Sequence, residues 1–277
     1  MVKLVTDSVS DLPPTVAKDL DITVIPLNVH FGAETYKDGV ELTAEDFYHK
    51  LENSSTLPKT SAPSPGLFAE VFDELAEKFN EILAVFLSRK LSATYDAALQ
   101  GVKLMKRTCH VEVVDSALGI MGQGLLVIEA AKRAVAGASL NELLDMISKT
   151  IPRIHIRATF DDLKYLAMGG RIGKAQALLG SILKLNPILG MKNGEAFPFG
   201  RVRSRAKATD YLYEFAANFS KVKALAVEYG TNVAEAKALA KRIASKLPKV
   251  PLYISNVGPV IGTHTGPSIL SVTVLEE

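Results

Sequence analysis

Apolar runs and helical periodicities alternate along most of the chain, the pattern of an α/β protein. The clearest passage lies at 81–105. Residues 82–87, Ile-Leu-Ala-Val-Phe-Leu, form an unbroken apolar run of strand length, which suits a strand covered on both faces. The run stops at Ser88. After a short polar loop, Leu91, Tyr95, Ala98, Val102 and Met105 recur at helical spacing. In open α/β sheets ligands lie at the carboxyl ends of strands, where the next helix directs its free N–H groups and positive dipole end. Ser92 stands where the N-cap of this helix is expected, and a hydroxyl beside bare amides makes a candidate anion site. Serine at an N-cap also serves widely just to satisfy the backbone.

Other segments follow the same alternation. A strand at 2–5 runs into Thr6-Asp7-Ser8 and a helix at 14–20 that opens on Pro14. A strand is predicted at 22–29, then a hairpin over 31–40 turning at Asp38-Gly39, then a helix at 43–51 capped by Thr43 and Asp46. Residues 57–66 hold three prolines and read as a stiff segment presenting Thr60, with Ser64-Pro65 starting a helix backed by Phe68, Val71, Phe72 and Leu75. A strand at 111–114 leads to Asp115, read as the cap of a glycine-rich helix at 120–136. Ser139 and Glu142 form a capping box for a helix at 140–151. The character changes near Pro152, which suggests two domains, 1–151 and 152–277.

In the second half a strand at 154–160 precedes Asp161, read as the cap of a short helix at 163–168. Gly169-Gly170-Arg171-Ile172-Gly173-Lys174 then predicts a sharp turn that leaves Arg171 free to face an anion, followed by a helix at 173–185. Segments 187–191 and 196–202 pair as a hairpin across Lys192-Asn193-Gly194-Glu195. Arg201, Arg203, Arg205 and Lys207 alternate, and as a strand they would place four positive charges on one face. Such a face serves either as a solvated edge or as a contact for a phosphate or an acidic partner. Helices at 209–219 and 233–247 and strands at 223–229 and 252–256 follow. Residues 258–267, with three glycines and two prolines, predict an irregular loop that holds His264 rigidly between two threonines.

Composition narrows the classes. The 277 residues are 48% apolar, enough for one large domain or two. The formal net charge of +2 gives no electrostatic case for nucleic acid. One cysteine, Cys109, excludes an intrachain disulfide and fits a reducing compartment. Residues 1–6 read as a strand rather than a signal peptide, and no apolar run approaches the roughly 20 residues needed to span a bilayer. A cytoplasmic protein is expected.

Motifs for common chemistries fail on spacing. A Walker loop would need glycine at Met168 and Ser or Thr at Ala175, and no G-x-G-x-x-G is present. There is no G-x-S-x-G elbow, no H-E-x-x-H and no cysteine pair. A Ser92–His264 nucleophile pair, as in a serine hydrolase or esterase, is the catalytic alternative, without a clear orienting acid.

Seven spaced motifs, in order and across the whole chain, resemble the DegV family: Thr6-Asp7-Ser8; Lys59-Thr60-Ser61-Ala62-Pro63-Ser64-Pro65; Leu91-Ser92-Ala93-Thr94-Tyr95; Asp115-Ser116; Leu166-Ala167-Met168-Gly169-Gly170-Arg171-Ile172; the Arg201–Lys207 segment; and Gly262-Thr263-His264-Thr265-Gly266-Pro267. The resemblance implies an α/β fold of two domains, the first with a parallel sheet and the second with a mixed or antiparallel one, with parts that can be exchanged between them. It implies a non-catalytic carrier of a long-chain fatty acid, with no cofactor, no metal and no nucleic acid. The carboxylate would lie on Thr60 and Ser92 with His264 close by, in a site that also takes in Ser61, Ala93, Arg171 and Thr265. The implied partner is an ATP-dependent fatty acid kinase subunit, docked through Arg201, Arg203 and Arg205, with transient membrane contact for lipid exchange. Ala93 departs from the glycine common in the family.

Overall fold

The computed structural model describes residues 1–178 and 185–277. The first half runs β1 (Lys3–Asp7), α1 (Pro14–Asp19), β2 (Thr23–Ile25), β3 (Asn28–Phe31), β4 (Glu34–Lys37), α2 (Ala44–Asn53) and β5 (Lys59–Ser61). It continues through α3 (Pro65–Ala76), β6 (Glu81–Phe86), α4 (Thr94–Leu104), β7 (His110–Asp115), α5 (Ile120–Val135) and α6 (Leu140–Thr150). The second half runs β8 (Ile154–Thr159), α7 (Lys164–Met168), β9 (Asn186–Lys192), β10 (Glu195–Val202), α8 (Arg205–Ala217) and β11 (Val222–Tyr229). It ends with α9 (Val233–Lys246), β12 (Leu252–Asn256), α10 (Pro259–Thr265) and β13 (Leu270–Glu276).

The fold is α/β, with three sheets among the described residues. The first, ordered β2-β1-β6-β7, is parallel throughout. The second, β10-β9-β8-β13-β11-β12, is mixed, with only β11 and β12 parallel among its pairs. Strand alternation assigns the faces. Ile82, Ala84 and Phe86 of β6 meet α3 and α4 through Phe68, Phe72 and Ala98, while Leu83 and Val85 turn to α5. From the far side, Ile154 and Ile156 of β8 and Ala226 of β11 close on the same helix. The helix α5 is therefore buried between the two large sheets, which accounts for its breadth of apolar and small residues. Gly122 permits this, since a Cβ there would lie 2.4 Å from Ile156. The outer face of the mixed sheet is covered by α8 and α9, with Leu212, Leu239 and Ile243 against Leu225, Val227 and Val272. The small antiparallel sheet, β4-β3-β5, packs on α2 and α10 through Val29, Phe31, Phe47 and Val260.

Several expectations hold at the level of local chemistry. Ser139 and Glu142 close a reciprocal capping box. Ser64 caps α3 with Pro65 in its first turn. Asn193 and Gly194, both at positive φ, turn the β9–β10 hairpin.

Others are corrected. The run at 22–29 is two strands in different sheets, broken around Pro26, where β2 leaves the parallel sheet and β3 enters the small one. The β3–β4 hairpin turns at Gly32-Ala33, with Gly32 at φ 60°; Asp38 is not at the tip but buried. Asp115 does not cap α5. Its carboxylate accepts from the Arg89 and Ala117 N–H groups and ties two loops together. Asp162, not Asp161, receives the first N–H of α7, from Lys164. The predicted helix at 173–185 is a 3-10 turn at Gly173–Leu178, and its remainder lies outside the described residues. The alternating arginines do not form a strand. The chain turns at Arg203, and Arg205 opens α8, where it makes a two-pronged bond to Glu235 and donates to Ser268 O at 2.8 Å. That arginine is a structural clamp; Arg201, Arg203 and Lys207 stay exposed, Lys207 on α8. Finally, 259–265 is helical rather than irregular, and β13, which no sequence signal singled out, is an interior strand of the mixed sheet.

No helix among the described residues is long and apolar enough to cross a membrane.

Candidate functional site: an apolar cavity with a hydroxyl–imidazole end

A cavity of about 390 Å³ opens where the carboxyl ends of the parallel strands meet the mixed sheet. Leu27, Leu87, Ile120, Ile156, Leu189 and Ile269 are among its apolar walls. Ala158 and Ile156 share the face of β8 that also meets α5, so the cavity continues the inter-sheet layer beyond the start of that helix. Thr60, Ser61, Ser92, Ala93, Arg171, His264 and Thr265 all line it. They come from β5, the β6–α4 loop, the turn after α7, and α10, so residues over 200 positions apart meet here.

Their hydroxyls are not equivalent. Thr60 Oγ1 lies 2.9 Å from His264 Nε2. His264 Nδ1 is buried without a partner, packed so tightly on Gly169 that a Cβ there would stand 2.2 Å away. An orphaned acceptor costs less than an orphaned N–H, so the proton belongs on Nε2. Burial, reinforced by the nearby Arg171 charge, pushes the imidazole pKa down to about 4, so it is neutral near pH 7. Nε2–H then donates to Thr60, which leaves the O–H of this cavity-lining residue unspent on the histidine.

Ser92 lies one residue before the N-cap, which is Ala93. Its oxygen accepts from the Thr94 N–H at 3.3 Å and pairs with Thr94 Oγ1 at 2.9 Å. Thr265 donates to Ile261 O inside its own helix. Arg171 spends donors on Leu91 O and Gly169 O, tying the turn after α7 to the β6–α4 loop beside the cavity. Ser61 borders the cavity, but its hydroxyl faces the other way. Successive residues of β5 alternate faces, and its hydroxyl meets His30 Nε2 at 2.9 Å and Asn28 on the outer face of the small sheet. The Ser92–His264 nucleophile pair is not assembled, because one imidazole nitrogen is on Thr60 and the other is sealed against Gly169.

Behind this site lies a second polar cluster that sequence reasoning missed. Asp7 accepts from the Leu87 and Val9 N–H groups, Asp11 from Gly258, Glu228 from Met121 and Ser271. Asp38 accepts from Ser8 and from the Val260 N–H. Gln123 bridges Thr6, Asp7 and Val85. All of these are buried. Burial raises Asp7 to about 7, Asp38 to about 6 and Glu228 to about 7, and holds Asp11 well above the usual carboxylate range, helped by Glu228 and Asp38. The Thr6-Asp7-Ser8 motif thus organises the cavity walls and does not line them. One signal was available: Glu228 interrupts an otherwise apolar stretch of β11, where a carboxylate needs a partner inside. Among the described residues no group of three or more His, Cys, Asp or Glu is arranged to hold a metal.

Comparison with known proteins places this architecture. The chain is 38% identical over 272 residues to a DegV domain-containing protein of Halalkalibacterium halodurans, covering 96% of this chain and 95% of that protein. Among solved structures, DegV of Bacillus subtilis, a fatty acid binding protein, superposes with a TM-score of 0.92 at 30% identity, covering 100% of this chain and 99% of the other. A stearic-acid-binding protein of Eubacterium ventriosum also gives 0.92, at 28% identity over 100% and 98% of the two chains. The sequence profile of an uncharacterised protein family, DegV, matches residues 1–277 from end to end, and the chain belongs to the DegV family.

Proposed function

We propose that this protein carries a long-chain fatty acid, with the acyl chain in the inter-sheet cavity and the carboxylate at Thr60 and Ser92. The observation that carries this reading is an apolar cavity with a neutral hydroxyl–imidazole pair at one end. Burying a methylene is worth ~0.8 kcal/mol, so about fifteen of them contribute on the order of 12 kcal/mol before association costs. The head group then needs orientation more than a salt bridge. Thr60, with its oxygen accepting from His264, keeps its O–H as one donor; Ser92 supplies another when Thr94 takes the donating role in their pair. The fatty acids bound by the Bacillus and Eubacterium relatives are of the chemistry that such a site accepts.

The carboxylate end lies beside Arg171, an exposed residue of the cavity lining, within reach of a partner. In this reading an ATP-dependent kinase subunit phosphorylates the presented carboxylate, and the carrier is not itself a catalyst. Exposed Arg201 and Arg203 remain for docking, acting mainly on association rate, and lipid exchange involves transient membrane contact. No cofactor and no nucleic acid enter the scheme.

Native mass spectrometry of the purified protein tests it. A co-purified or readily loaded fatty acid at one per chain is expected. A protein that stays empty when offered C16 and C18 acids, and hydrolyses acyl esters, would overturn it.

A further inference from the structure

The helix α10, which carries His264, has seven residues. A helix that short does not hold itself, so its placement comes from what grips its ends. At its C-terminal end His264 meets Thr60 and packs on Gly169. At its N-terminal end stand two carboxylates from the other half of the chain. Asp11 Oδ1 accepts from the cap residue Gly258 at 3.0 Å, and Asp38 accepts from the Val260 N–H. Pro259, between them, has no N–H to offer. The first two free donors of the helix therefore both end on buried acids, which also complement its dipole.

Those acids are themselves fixed. Ser8 Oγ donates to Asp38 Oδ2 at 2.7 Å and accepts from Leu27 N at 3.1 Å. The Asp38 N–H bonds Leu27 O at 2.9 Å. A Cβ at Gly258 would stand 2.9 Å from Asp11 Oδ1 and 3.4 Å from Asp38 Oδ1, so both acids converge on the cap. Asp11 Oδ2 is buried with no hydrogen-bond partner among the described residues. A fold that needed only a filled interior would do better with an apolar residue at 11. Neither Asp11 nor Asp38 lines the cavity.

We propose that Asp11 and Asp38 are positioning residues of the head-group site, holding α10 so that His264 meets Thr60 and fixes the direction of its hydroxyl. They act on the ligand through the helix, without touching it. The inference rests on the reading that Thr60 receives the fatty acid carboxylate. Its structural part, the state of His264, can be read without any ligand.

The test uses the full chain with Asp11→Ala, Asp38→Ala, both Asp→Asn forms and the milder Ser8→Ala. Two quantities are measured: the His264 imidazole by proton–nitrogen NMR on ligand-free protein, and displacement of a fluorescent fatty acid. In the parent, His264 is expected as the Nε2–H tautomer with no titration above about pH 5, because it is buried. In the alanine variants it should titrate closer to the ordinary histidine value of about 6.5, with a loss of about tenfold or more in affinity. The asparagine forms keep an acceptor oxygen and should restore the parent tautomer and most of the affinity. Ser8→Ala should give a smaller change of the same kind, and it decides the matter with the asparagine forms if the alanine variants do not fold. An unchanged imidazole in folded Asp38→Ala and Asp11→Ala, or in Ser8→Ala where those do not fold, overturns the proposal, whatever happens to affinity. A parent protein that binds no fatty acid while His264 responds as described would instead sink the functional reading alone.

Discussion

Two polar clusters lie within one fold and are built by opposite rules. At the cavity end, Thr60, Ser92 and His264 are neutral, half-buried and only partly saturated with hydrogen bonds. Behind it, Asp7, Asp11, Asp38 and Glu228 are acidic, fully enclosed and engaged mostly with backbone N–H groups. The first cluster keeps a donor in reserve, which is what binding an anion requires. The second spends its acceptors on the loops that form the cavity walls: Leu87 through Asp7, Val260 through Asp38, and the start of α5 through Glu228. A buried charge costs several kcal/mol unless it is bonded, so the acids hold those loops firmly. A hydroxyl pair at the cavity costs little whether a ligand is present or not. Substitutions should therefore separate the two clusters: changes in the cavity move affinity alone, and changes in the hub move stability, reaching affinity only through Asp11 and Asp38, which hold α10.

The largest effect is expected from filling the cavity. Ala158→Phe places a ring in the acyl space; excluding about four methylenes forfeits about 3 kcal/mol, roughly a two-hundredfold loss of affinity. Urea unfolding should show little change, because the ring occupies existing space. Retained affinity for a C18 acid would place the acyl chain elsewhere.

Gln123→Leu removes the amide that bridges Thr6, Asp7 and Val85. It should lower unfolding stability by about 2–3 kcal/mol, since buried polar groups are left unpaired. Chemical denaturation reads this directly. A loss of affinity with stability intact would erase the distinction between the clusters.

Thr60→Ala and Ser92→Ala should each weaken fatty acid binding by about 1.5–3 kcal/mol, tenfold or more, the value of a hydrogen bond to a charged group. Thr60→Ala should be the more damaging, because Ser92 divides its bonding with Thr94. Displacement titration ranks them, and equal wild-type affinity in both would remove them from the site.

The smallest effect separates the clusters by pH. Burial raises Asp7 to about 7, Asp38 to about 6 and Glu228 to about 7 in the folded protein. Acids with raised folded values bind protons more tightly when native. Their contribution is complete below about pH 4, the unfolded value, and is lost as pH rises through 6 to 7. The thermal midpoint should be a few degrees higher at pH 5.5 than at pH 8, and Asp7→Asn should flatten that slope. His264, with its folded value lowered to about 4, works in the opposite sense. Its contribution is present above about pH 6.5 and lost on acidification toward 4, so it opposes the hub over pH 4–6.5. A midpoint that falls between pH 8 and 5.5 would count against buried acids of this kind.

Much of the cavity was legible as local pattern. The run at 82–87 became β6, and the polar loop after it lies at the cavity because strand, loop and helix leave no other place for those residues. Thr60 and His264 stand out as a hydroxyl and an imidazole in segments stiffened by proline and glycine, and Ser92 as a hydroxyl at the helix start that follows the apolar run. What those segments would face was not legible. Ser61 adjoins Thr60 in sequence, yet its side chain points to the opposite face of β5, a matter of which strand pairs with which. Arg205 reads like Arg203 until Glu235, thirty residues on, binds it across two helices.

By itself the sequence determined where most of the chain is helical or extended, though not α10 or β13, and how many elements begin: Ser139 with Glu142, Ser64 with Pro65, and Asn193 with Gly194 depend on neighbours within four residues. The tertiary structure alone decided that 22–29 splits between two sheets and that β13 lies inside the mixed sheet. It also decided that four acids would be buried. The reason is range. Caps, turns and periodicity act through backbone angles and bonds to nearby residues. A carboxylate, by contrast, can stay inside only if a distant N–H reaches it, as Gly258 reaches Asp11 across 247 positions of chain.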